Sequence, residues 1–457
     1  MSPVLAGKTW LAVVLLAAAA LLGTAASAAA SPVLEFTHGK TRVVKDDGTP
    51  PVTPADVAAS IATAAQTTPP TGGAEPTPSP PPATGPPTAT PAPGAPLAEG
   101  VVGRGSVTGI LDQALALGLI SQADHDSYTA TYNQAVAAGS NLSGQCRKQE
   151  NAVIRNLNRM SAQGSLTTNR MPALFLQLQR NTEFWSAHPK VAAAQRVKFG
   201  SSELLFQHYA GQGLQIQPLA NFGKGNGLYT AALHPKKGDS SKHESAKLKT
   251  LLDELLPLKS VRGGFYTWEY YFPFGGGRPP WVSGLAQATG IEMLARVSQL
   301  YGDPSYVQLA TQMLGAFQQS PPTGIRVSKD GGNHYLIYSF APHYYVLNAF
   351  LQSLIGLYDY IKVTGDQNAQ QLFDAGNTAA LRELPRYDTG KWALYSLPNK
   401  EISTYGYMSL VTGFLDGLCQ RTGTAEYCNT AKRWHGYLAK VPRQPTRPLP
   451  PMKECGY

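Results

Sequence analysis

The sequence predicts a mainly α-helical fold: helical hairpins arranged as an (α/α) toroid, with inserted β-hairpins, preceded by a small helical region. Two observations indicate this. Segments with apolar residues at helical spacing end in a glycine-containing turn at Gly302, Gly365 and Gly423, which are 63 and 58 residues apart. That interval suits two antiparallel helices and a longer return segment, and repeated helical hairpins stack or close into a ring. The helices between these turns are amphipathic.

Residues 1–28 have the layout of a secretory signal peptide. They carry one cation, Lys8, then an apolar run from Trp10 to Leu22, then the small residues Ala26-Ser27-Ala28 as a cleavage site. The run is shorter than the roughly 20 residues that a membrane span needs, so an uncleaved anchor is the alternative. We therefore expect a secreted or cell-envelope protein on the extracytoplasmic side.

Residues 29–98 are expected to be a disordered linker. Pro, Thr, Ala and Gly dominate this segment, a composition that builds no core and favours extended conformations. It would hold the folded domain away from a membrane or cell wall, as a tether through the N-terminus. At the other end, residues 442–457 form a basic, Pro-rich tail.

Residues 99–199 show apolar residues at helical spacing and predict a helical N-terminal region. Ser121 followed by Asp124 is a typical helix start, because the serine oxygen can cap free backbone amides. Residues 200–441 are assigned to the toroid domain. Within it, the aromatic stretch Phe265–Phe274 predicts a strand that turns at Gly275–Gly277.

Two return segments of the toroid resemble β-hairpins. The first spans residues 325–338 and turns at Asp330-Gly331-Gly332, where the residue types allow positive φ. The second spans residues 387–395. Both carry tyrosines at their far ends.

The four cysteines of an exported chain favour disulfides over metal sites, since no Cys-x-x-Cys spacing is present. Cys419 and Cys428 are close enough to join one helix to the next, and Cys146 with Cys455 is then one option for a second pair, although four cysteines allow three connectivities and the sequence does not choose among them. Buried free thiols are the alternative.

The formal charge is +9 and the pI is about 9.2, so the chain attracts polyanions. Acidic glycans, anionic cell walls, nucleic acids and anionic lipids all qualify, but an exported address argues against nucleic acid.

The most specific sequence block reads IYSFAPHYYVLN over residues 337–348 and continues as SLIGLYD over 353–359. It is accompanied by PWVSGLAQ at 280–287, LPRYDTG at 384–390 with Tyr395 behind it, and Arg433-Trp434. In this order and spacing, residues 215–438 resemble the C-terminal domain of D-glucuronyl C5-epimerases. That resemblance implies an isomerase that inverts C5 of D-glucuronate to give L-iduronate within an acidic polysaccharide.

The implied chemistry explains the residue types. A proton next to a carboxylate is weakly acidic, so the site needs a base on one sugar face, an acid on the other, and groups that stabilise the spreading charge. Tyrosine can serve as base or acid if neighbouring cations lower its pKa from about 10. The chemistry requires no metal and no organic cofactor.

The resemblance assigns catalytic roles to tyrosines and leaves one position open. Tyr338 matches one catalytic tyrosine and Tyr395 a site tyrosine, whereas the second catalytic tyrosine is Tyr407 or, with a short gap, Tyr405. Position beside these motifs suggests substrate-binding residues, namely Arg278, Arg326, Lys391, Asn348 and Tyr387.

Three family positions differ in this chain. Ile337 stands where the family has Glu, Pro398 where it has Arg, and Met408 where it has His. Two alternative functions therefore accompany the epimerase hypothesis. A uronate polysaccharide lyase begins with the same proton abstraction, and a non-catalytic glycan-binding protein of the cell envelope would keep the fold without the base.

Overall fold

The structure is a computed structural model that describes residues 33–44, 97–235, 238, 240–442 and 451–456. The signal peptide expected at residues 1–28 and most of the linker expected at 29–98 lie outside the described residues. Within the described ranges, every helix is too short or too polar to cross a lipid bilayer.

The N-terminal region is helical, as predicted. Ser121 caps the second helix: its hydroxyl accepts a hydrogen bond from the Asp124 amide at 3.1 Å, and Asp124 reaches back to the Ser121 amide. This reciprocal cap satisfies backbone donors that the first helical turn leaves free. The four helices of the region are α1 Val107–Ala116, α2 Gln122–Asn141, α3 Gly144–Ala162 and α4 Met171–Ser186.

Strands from before and after these helices in the chain form a five-stranded sheet, which corrects two predicted boundaries. Its order is β2-β1-β4-β5-β6, and β1 pairs in parallel with β4. Residues 33–44 are thus sheet rather than linker, because the alternating apolar residues of β1 pack on the core. The end of the predicted helical region is also strand. The strands are β1 Val33–Thr37, β2 Lys40–Val44, β3 Lys190–Val191, β4 Arg196–Phe199, β5 Phe206–Tyr209 and β6 Gly213–Ile216.

Helical hairpins in two layers form the rest of the fold, which confirms the mainly α class and the α/α toroid arrangement. The inner helices α5, α7, α10 and α12 pack side by side in that order, and each packs against an outer partner. The helices are α5 Pro218–Leu233, α6 Ser241–Leu255, α7 Gly284–Tyr301, α8 Ser305–Met313, α9 Gly315–Gln318, α10 Leu347–Thr364, α11 Gln367–Tyr387, α12 Tyr405–Thr422 and α13 Ala425–Ala439.

The three glycine turns lie where the sequence predicts them. Gly302, Gly365 and Gly423 each cap an inner helix in the left-handed conformation, with φ of 65°, 67° and 65°. A residue with a Cβ is strained at such φ, and glycine is not. Each turn reverses the chain into the outer helix of the pair.

Short β-hairpins connect the helical pairs. The first inserted hairpin is confirmed: β9 and β10 pair antiparallel around Asp330 and Gly331, both at positive φ. The second differs from the prediction, because Tyr387 ends α11 and the paired strands are β11 and β12. The strands are β7 Ser260–Arg262, β8 Phe265–Thr267, β9 Arg326–Lys329, β10 Gly332–Tyr335, β11 Leu394–Ser396 and β12 Glu401–Ile402.

The aromatic stretch predicted as one strand is only partly strand. Phe265–Thr267 forms β8, and the remainder continues as irregular chain in which Tyr270 pairs with Trp281 across a single bridge. The turn after it lies at Gly275–Gly277, as predicted, where Phe274 and Gly277 exchange backbone hydrogen bonds of 3.1 and 2.7 Å.

Two disulfides pair the four cysteines, and Cys419–Cys428 is the pair that close spacing predicts. Cys419 and Cys428 join the end of α12 to α13, and Cys146 on α3 joins Cys455 in the tail. The tail strand β13, Lys453–Glu454, pairs with β3. The C-terminus is therefore fastened to the N-terminal region.

Candidate active site

The amino-terminal ends of the inner helices meet at one side of the fold. The side-chain amide of Gln217, just before α5, accepts a hydrogen bond from the Tyr270 hydroxyl at 2.7 Å. Before α7, the Val282 amide donates to the Ser339 hydroxyl at 3.0 Å. Helix N-termini carry partial positive charge and unpaired amides, so this side of the fold favours anionic groups.

Four tyrosines pack together at these helix ends and are called here the tyrosine cluster: Tyr338, Tyr344, Tyr395 and Tyr407. Ring centroids are 6.4 Å apart for Tyr338 and Tyr344, 6.2 Å for Tyr344 and Tyr395, and 4.6 Å for Tyr395 and Tyr407. The cluster joins the end of the first hairpin, strand β11 and the start of α12. Residues far apart in sequence thus meet because three consecutive helical pairs lie side by side.

Hydrogen bonding within the cluster is uneven. The Tyr407 hydroxyl accepts from the Asn348 amide at 2.8 Å, which fixes the phenol at the start of α10. The buried Tyr338 hydroxyl has no hydrogen-bond partner in the described part of the chain, and neither does the side-chain amide of Asn348. Buried polar groups are normally paired, so unpaired ones mark a place where a ligand can supply the partner.

One carboxylate faces the cluster. Glu401 on β12 accepts hydrogen bonds from the Tyr344 hydroxyl at 2.9 Å and from the Ser396 hydroxyl at 3.0 Å. Glu401 is not among the predicted site residues, although a signal exists: it is the sole acidic residue between Asp388 and Asp416. What the sequence does not show is that β12 folds back against Tyr344.

The pKa values of the tyrosines move opposite to the expectation. Burial raises the pKa of Tyr338 well above its ordinary value, and the neighbouring tyrosines and Glu401 add to the rise. Burial likewise raises the pKa values of Tyr395 and Tyr407. The lowering by cations that the chemistry calls for is therefore not found at these tyrosines, because burial penalises the charged phenolate and the neighbouring charge of Glu401 is negative. These phenols are therefore protonated at neutral pH, and the same shift makes them weaker acids than a phenol in water.

Aromatic residues enclose Tyr338 in the cluster. Tyr338 stacks on Phe340 at 5.2 Å and meets Trp281 edge-on at 5.6 Å. Burial raises the pKa of Tyr209 on β5, and the charge of Arg196 on β4 acts in the opposite direction. The N-terminal sheet thus places the buried cation of Arg196 near Tyr209, whose pKa the neighbouring Tyr338 also raises, and the sequence alone does not indicate this arrangement.

The structure separates the two alternatives for the second catalytic tyrosine. Tyr407 is buried within the cluster, whereas the ring of Tyr405 lies 6.3 Å from Trp392, on the partly exposed side of α12. Residues two positions apart in an α-helix, such as Tyr405 and Tyr407, point about 200° apart around the helix axis. Only Tyr407 is thereby brought to Tyr395.

The substrate-binding candidates are spread over several places. Asn348 lies at the cluster, as expected. Tyr387 is buried and donates to the Tyr345 carbonyl at 3.1 Å, a contact that anchors α11. Arg326 lies on β9 opposite Tyr335, and Lys391 is exposed in a turn. The contacts that the described residues show do not link these last two cations to the cluster.

The fifth candidate, Arg278, is exposed beside the turn at Gly275–Gly277. The three family departures also have clear positions. Ile337 and Met408 are buried, and Pro398 is exposed. The carbonyl of Ile337 accepts the Gly284 amide at 3.2 Å, so its backbone fixes the start of α7.

One group of potential metal ligands occurs among the described residues, and it lies outside the cluster. Ligand atoms of Cys146, His188 and Glu454 fall within 4.8 Å of one another. Cys146 is disulfide-bonded, however, and a metal ligand must be a thiolate. This group does not fit a metal in the oxidised protein.

The sequence comparisons agree with the part of the fold that carries the tyrosines. Residues 262–436 match the model of the family described as D-glucuronyl C5-epimerase C-terminus. These residues belong to that family. The D-glucuronyl C5-epimerase of Caenorhabditis elegans is 32% identical over 178 residues, which are 35% of this chain and 29% of that protein.

An uncharacterized protein of Methanocaldococcus jannaschii is 27% identical over 182 residues, covering 37% of this chain and 57% of that protein. The chain thus spans less than two thirds of each of these relatives. The epimerase-family region includes Tyr338, Tyr395, Tyr407 and Glu401, but not Arg196 or helix α3.

Two solved structures are similar in part. A D-mannose isomerase has a TM-score of 0.38 at 14% identity, over 49% of this chain and 58% of that one. A sugar epimerase from a ruminal bacterium has a TM-score of 0.39 at 10% identity, over 60% and 74%. Scores this low add nothing to the assignment, which depends on the sequence matches.

Proposed function

We propose that this protein is a carbohydrate epimerase that inverts C5 of glucuronate units in an acidic polysaccharide outside the cytoplasm. The observation that carries the proposal is the tyrosine cluster within the epimerase-family region. Tyr338, Tyr395 and Tyr407, three positions that match site tyrosines of the family, lie together at the N-termini of the inner helices. That environment suits an anionic sugar.

Proton removal in this proposal runs through Tyr344 and Glu401. The Tyr344 oxygen accepts the C5 proton while its own proton passes along the 2.9 Å hydrogen bond to the Glu401 carboxylate. Glu401 thereby supplies the base that Ile337 does not. Charge spreads from C5 into the substrate carboxylate, where the helix N-termini stabilise it.

Proton return requires a donor on the other face of the sugar. Tyr338 suits this role because its hydroxyl is unpaired and burial keeps it protonated. Donation leaves a phenolate at Tyr338 and a protonated carboxyl at Glu401. Exchange of one proton with solvent at each group restores the starting state.

The experiment that tests the proposal is incubation with unsulfated glucuronate-containing polysaccharide in heavy water, followed by NMR. Deuterium at C5 together with iduronate is the expected result. Unsaturated chain ends would identify a lyase instead, because C5 abstraction would then be followed by loss of the C4 substituent.

The variant Glu401→Gln separates the proposed base from its surroundings. The amide still accepts a hydrogen bond from Tyr344 but takes no proton, so we expect exchange to slow about a hundredfold or more. Glu426→Gln, on exposed helix α13, is the matched control. Exchange at the wild-type rate in Glu401→Gln would exclude Glu401 as the base.

A binding-only protein is the second candidate, and one observation favours it. Tyr338 and Tyr407 are 3% and 1% exposed, so a sugar reaches their hydroxyls only if the surrounding chain opens. Glycan binding with no deuterium at C5 would support this alternative and reject the epimerase.

A further inference from the structure

A pocket of about 540 Å³ lies where the N-terminal helical region meets the epimerase-family region. Arg159 and Gln163, at the C-terminal end of α3, line one side, and residues 273–278 line the other. The volume is within the range of small-molecule sites, about 300 to 1,000 Å³. It is large enough for a sugar unit.

The charges at this pocket are of one sign. Arg159 and Arg278 are exposed, neither forms a salt bridge in the described part of the chain, and none of the lining residues is acidic. The amides of Gly275 and Gly276 at the turn also donate no hydrogen bond to the described residues. Two arginine side chains and two amides are groups that bind carboxylates.

The basic surface continues along α3. Lys148, Arg155 and Arg159 are all exposed and fall at positions i, i+7 and i+11, which places them on one face of the helix. The sole acidic residue of this helix, Glu150, is buried. Arg159 also faces the negative end of the α3 dipole, but that role does not account for Arg278 across the pocket.

The pocket shares a wall with the tyrosine cluster. Phe274 lines the pocket, and its ring centroid lies 5.5 Å from that of Tyr338. A polymer with one sugar at Tyr338 would therefore bring a neighbouring sugar to the pocket. A single detached sugar would not reach both.

We propose that Arg159 and Arg278 form an accessory subsite that binds the carboxylate of a second uronate unit in the same polysaccharide chain, with the basic face of α3 extending it. The uronate identity of this ligand rests on the proposed function. Arg159 and α3 lie outside residues 262–436, so the N-terminal region of this chain supplies half of the subsite.

The test compares two double variants with equal net charge. Arg159→Gln/Arg278→Gln removes both pocket cations, and Lys432→Gln/Lys440→Gln removes two exposed cations of the outer helix α13 and its C-cap. Binding of an unsulfated polymer of glucuronate and N-acetylglucosamine is measured by calorimetry, with monomeric glucuronate in parallel. Thermal unfolding checks that all variants fold.

The expected result is polymer binding about tenfold weaker in the arginine variant and within about twofold of wild type in the lysine variant. Monomer binding should be unchanged by either. Equal weakening in both variants would overturn the proposal, since attraction to overall charge would then suffice. An equal loss for monomer would overturn the assignment to a second unit of a polymer.

In this design, a failure of polymer binding can be distinguished from a failure of proton exchange at C5. If wild type binds polymer through the arginines but incorporates no deuterium at C5, the epimerase proposal fails and the subsite stands. If wild type does not bind the polymer, the subsite is rejected whatever the exchange measurement shows.

Discussion

The inner helices carry two buried polar clusters that differ in how they are paired. At the helix N-termini, the tyrosine cluster leaves the Tyr338 hydroxyl and the Asn348 amide without partners. Further along the same helices, Glu292, Arg296, Asp359 and Arg421 form a buried ionic network in which each charge meets its opposite.

Neutral side chains complete the second cluster. Asn226 accepts from Arg296 at 3.0 Å, and Gln352 donates to Glu292 at 2.8 Å. All four inner helices contribute to this network. A network with every member paired holds the helices in register, whereas unpaired groups keep binding capacity for something else. Along the same helices, the paired ionic network thus supports the fold, and the tyrosine cluster keeps unpaired groups that can bind a ligand.

The largest expected effect is loss of stability from breaking the ionic network. Asp359→Asn leaves Arg421 buried without its carboxylate partner and Arg296 with Glu292 alone, which costs about 3–5 kcal/mol of unfolding free energy. Denaturant unfolding measures it. Asp374→Asn on the exposed face of α11 is the control, with an expected change below about 0.5 kcal/mol. A small effect of Asp359→Asn would mean that the network does not support the fold.

Tyr338→Phe should show the opposite pattern. The lost hydroxyl has no partner, so the unfolding free energy should change by less than about 1 kcal/mol, while C5 exchange falls about a hundredfold. Denaturant unfolding and deuterium incorporation are measured on the same preparation. If the variant loses stability but keeps C5 exchange, Tyr338 supports the fold and does not act in catalysis.

Glu150 on α3 is a buried carboxylate that lacks a cation, so it allows a test of how the unfolding free energy depends on pH. Burial raises its pKa to about 7, although a hydrogen bond from Thr182 acts the other way. Because the folded pKa is above the unfolded value, this contribution to stability is present at low pH and is lost as pH rises through about 7.

The wild-type unfolding free energy should therefore fall by on the order of 3 kcal/mol between pH 4.5 and 8, and Glu150→Gln should remove this fall. Unfolding curves across that pH range measure it. Glu183→Gln, exposed on α4, should keep the wild-type slope. An unchanged slope in Glu150→Gln would show that another group causes the pH dependence.

The smallest expected effect concerns Asn348. Its side-chain amide is buried with neither atom paired, so Asn348→Leu should raise the unfolding free energy by about 1 kcal/mol and weaken glycan binding. Gln352→Leu is the comparison, because Gln352 donates to Glu292 and its loss should destabilise the protein. Denaturant unfolding separates the two, and destabilisation by both would mean that Asn348 is paired in solution.

Sequence reasoning predicted the elements whose causes are local. Gly302, Gly365 and Gly423 were identifiable because a left-handed helix cap favours glycine whatever surrounds it. Tyr338 and Tyr395 were identifiable by resemblance. Arg326 and Lys391 are near these motifs in sequence only, and proximity in sequence does not bring a strand residue or a turn residue to a site.

The sequence by itself determined the helical class, the repeat and the identity of the family region, because periodicity, glycine turns and motifs are properties of short segments. Only the tertiary structure decided that Glu401 meets Tyr344, that Tyr407 rather than Tyr405 joins the cluster, and that burial raises the tyrosine pKa values. Each depends on which distant segments pack together and exclude water, since desolvation and pairing belong to the assembled site.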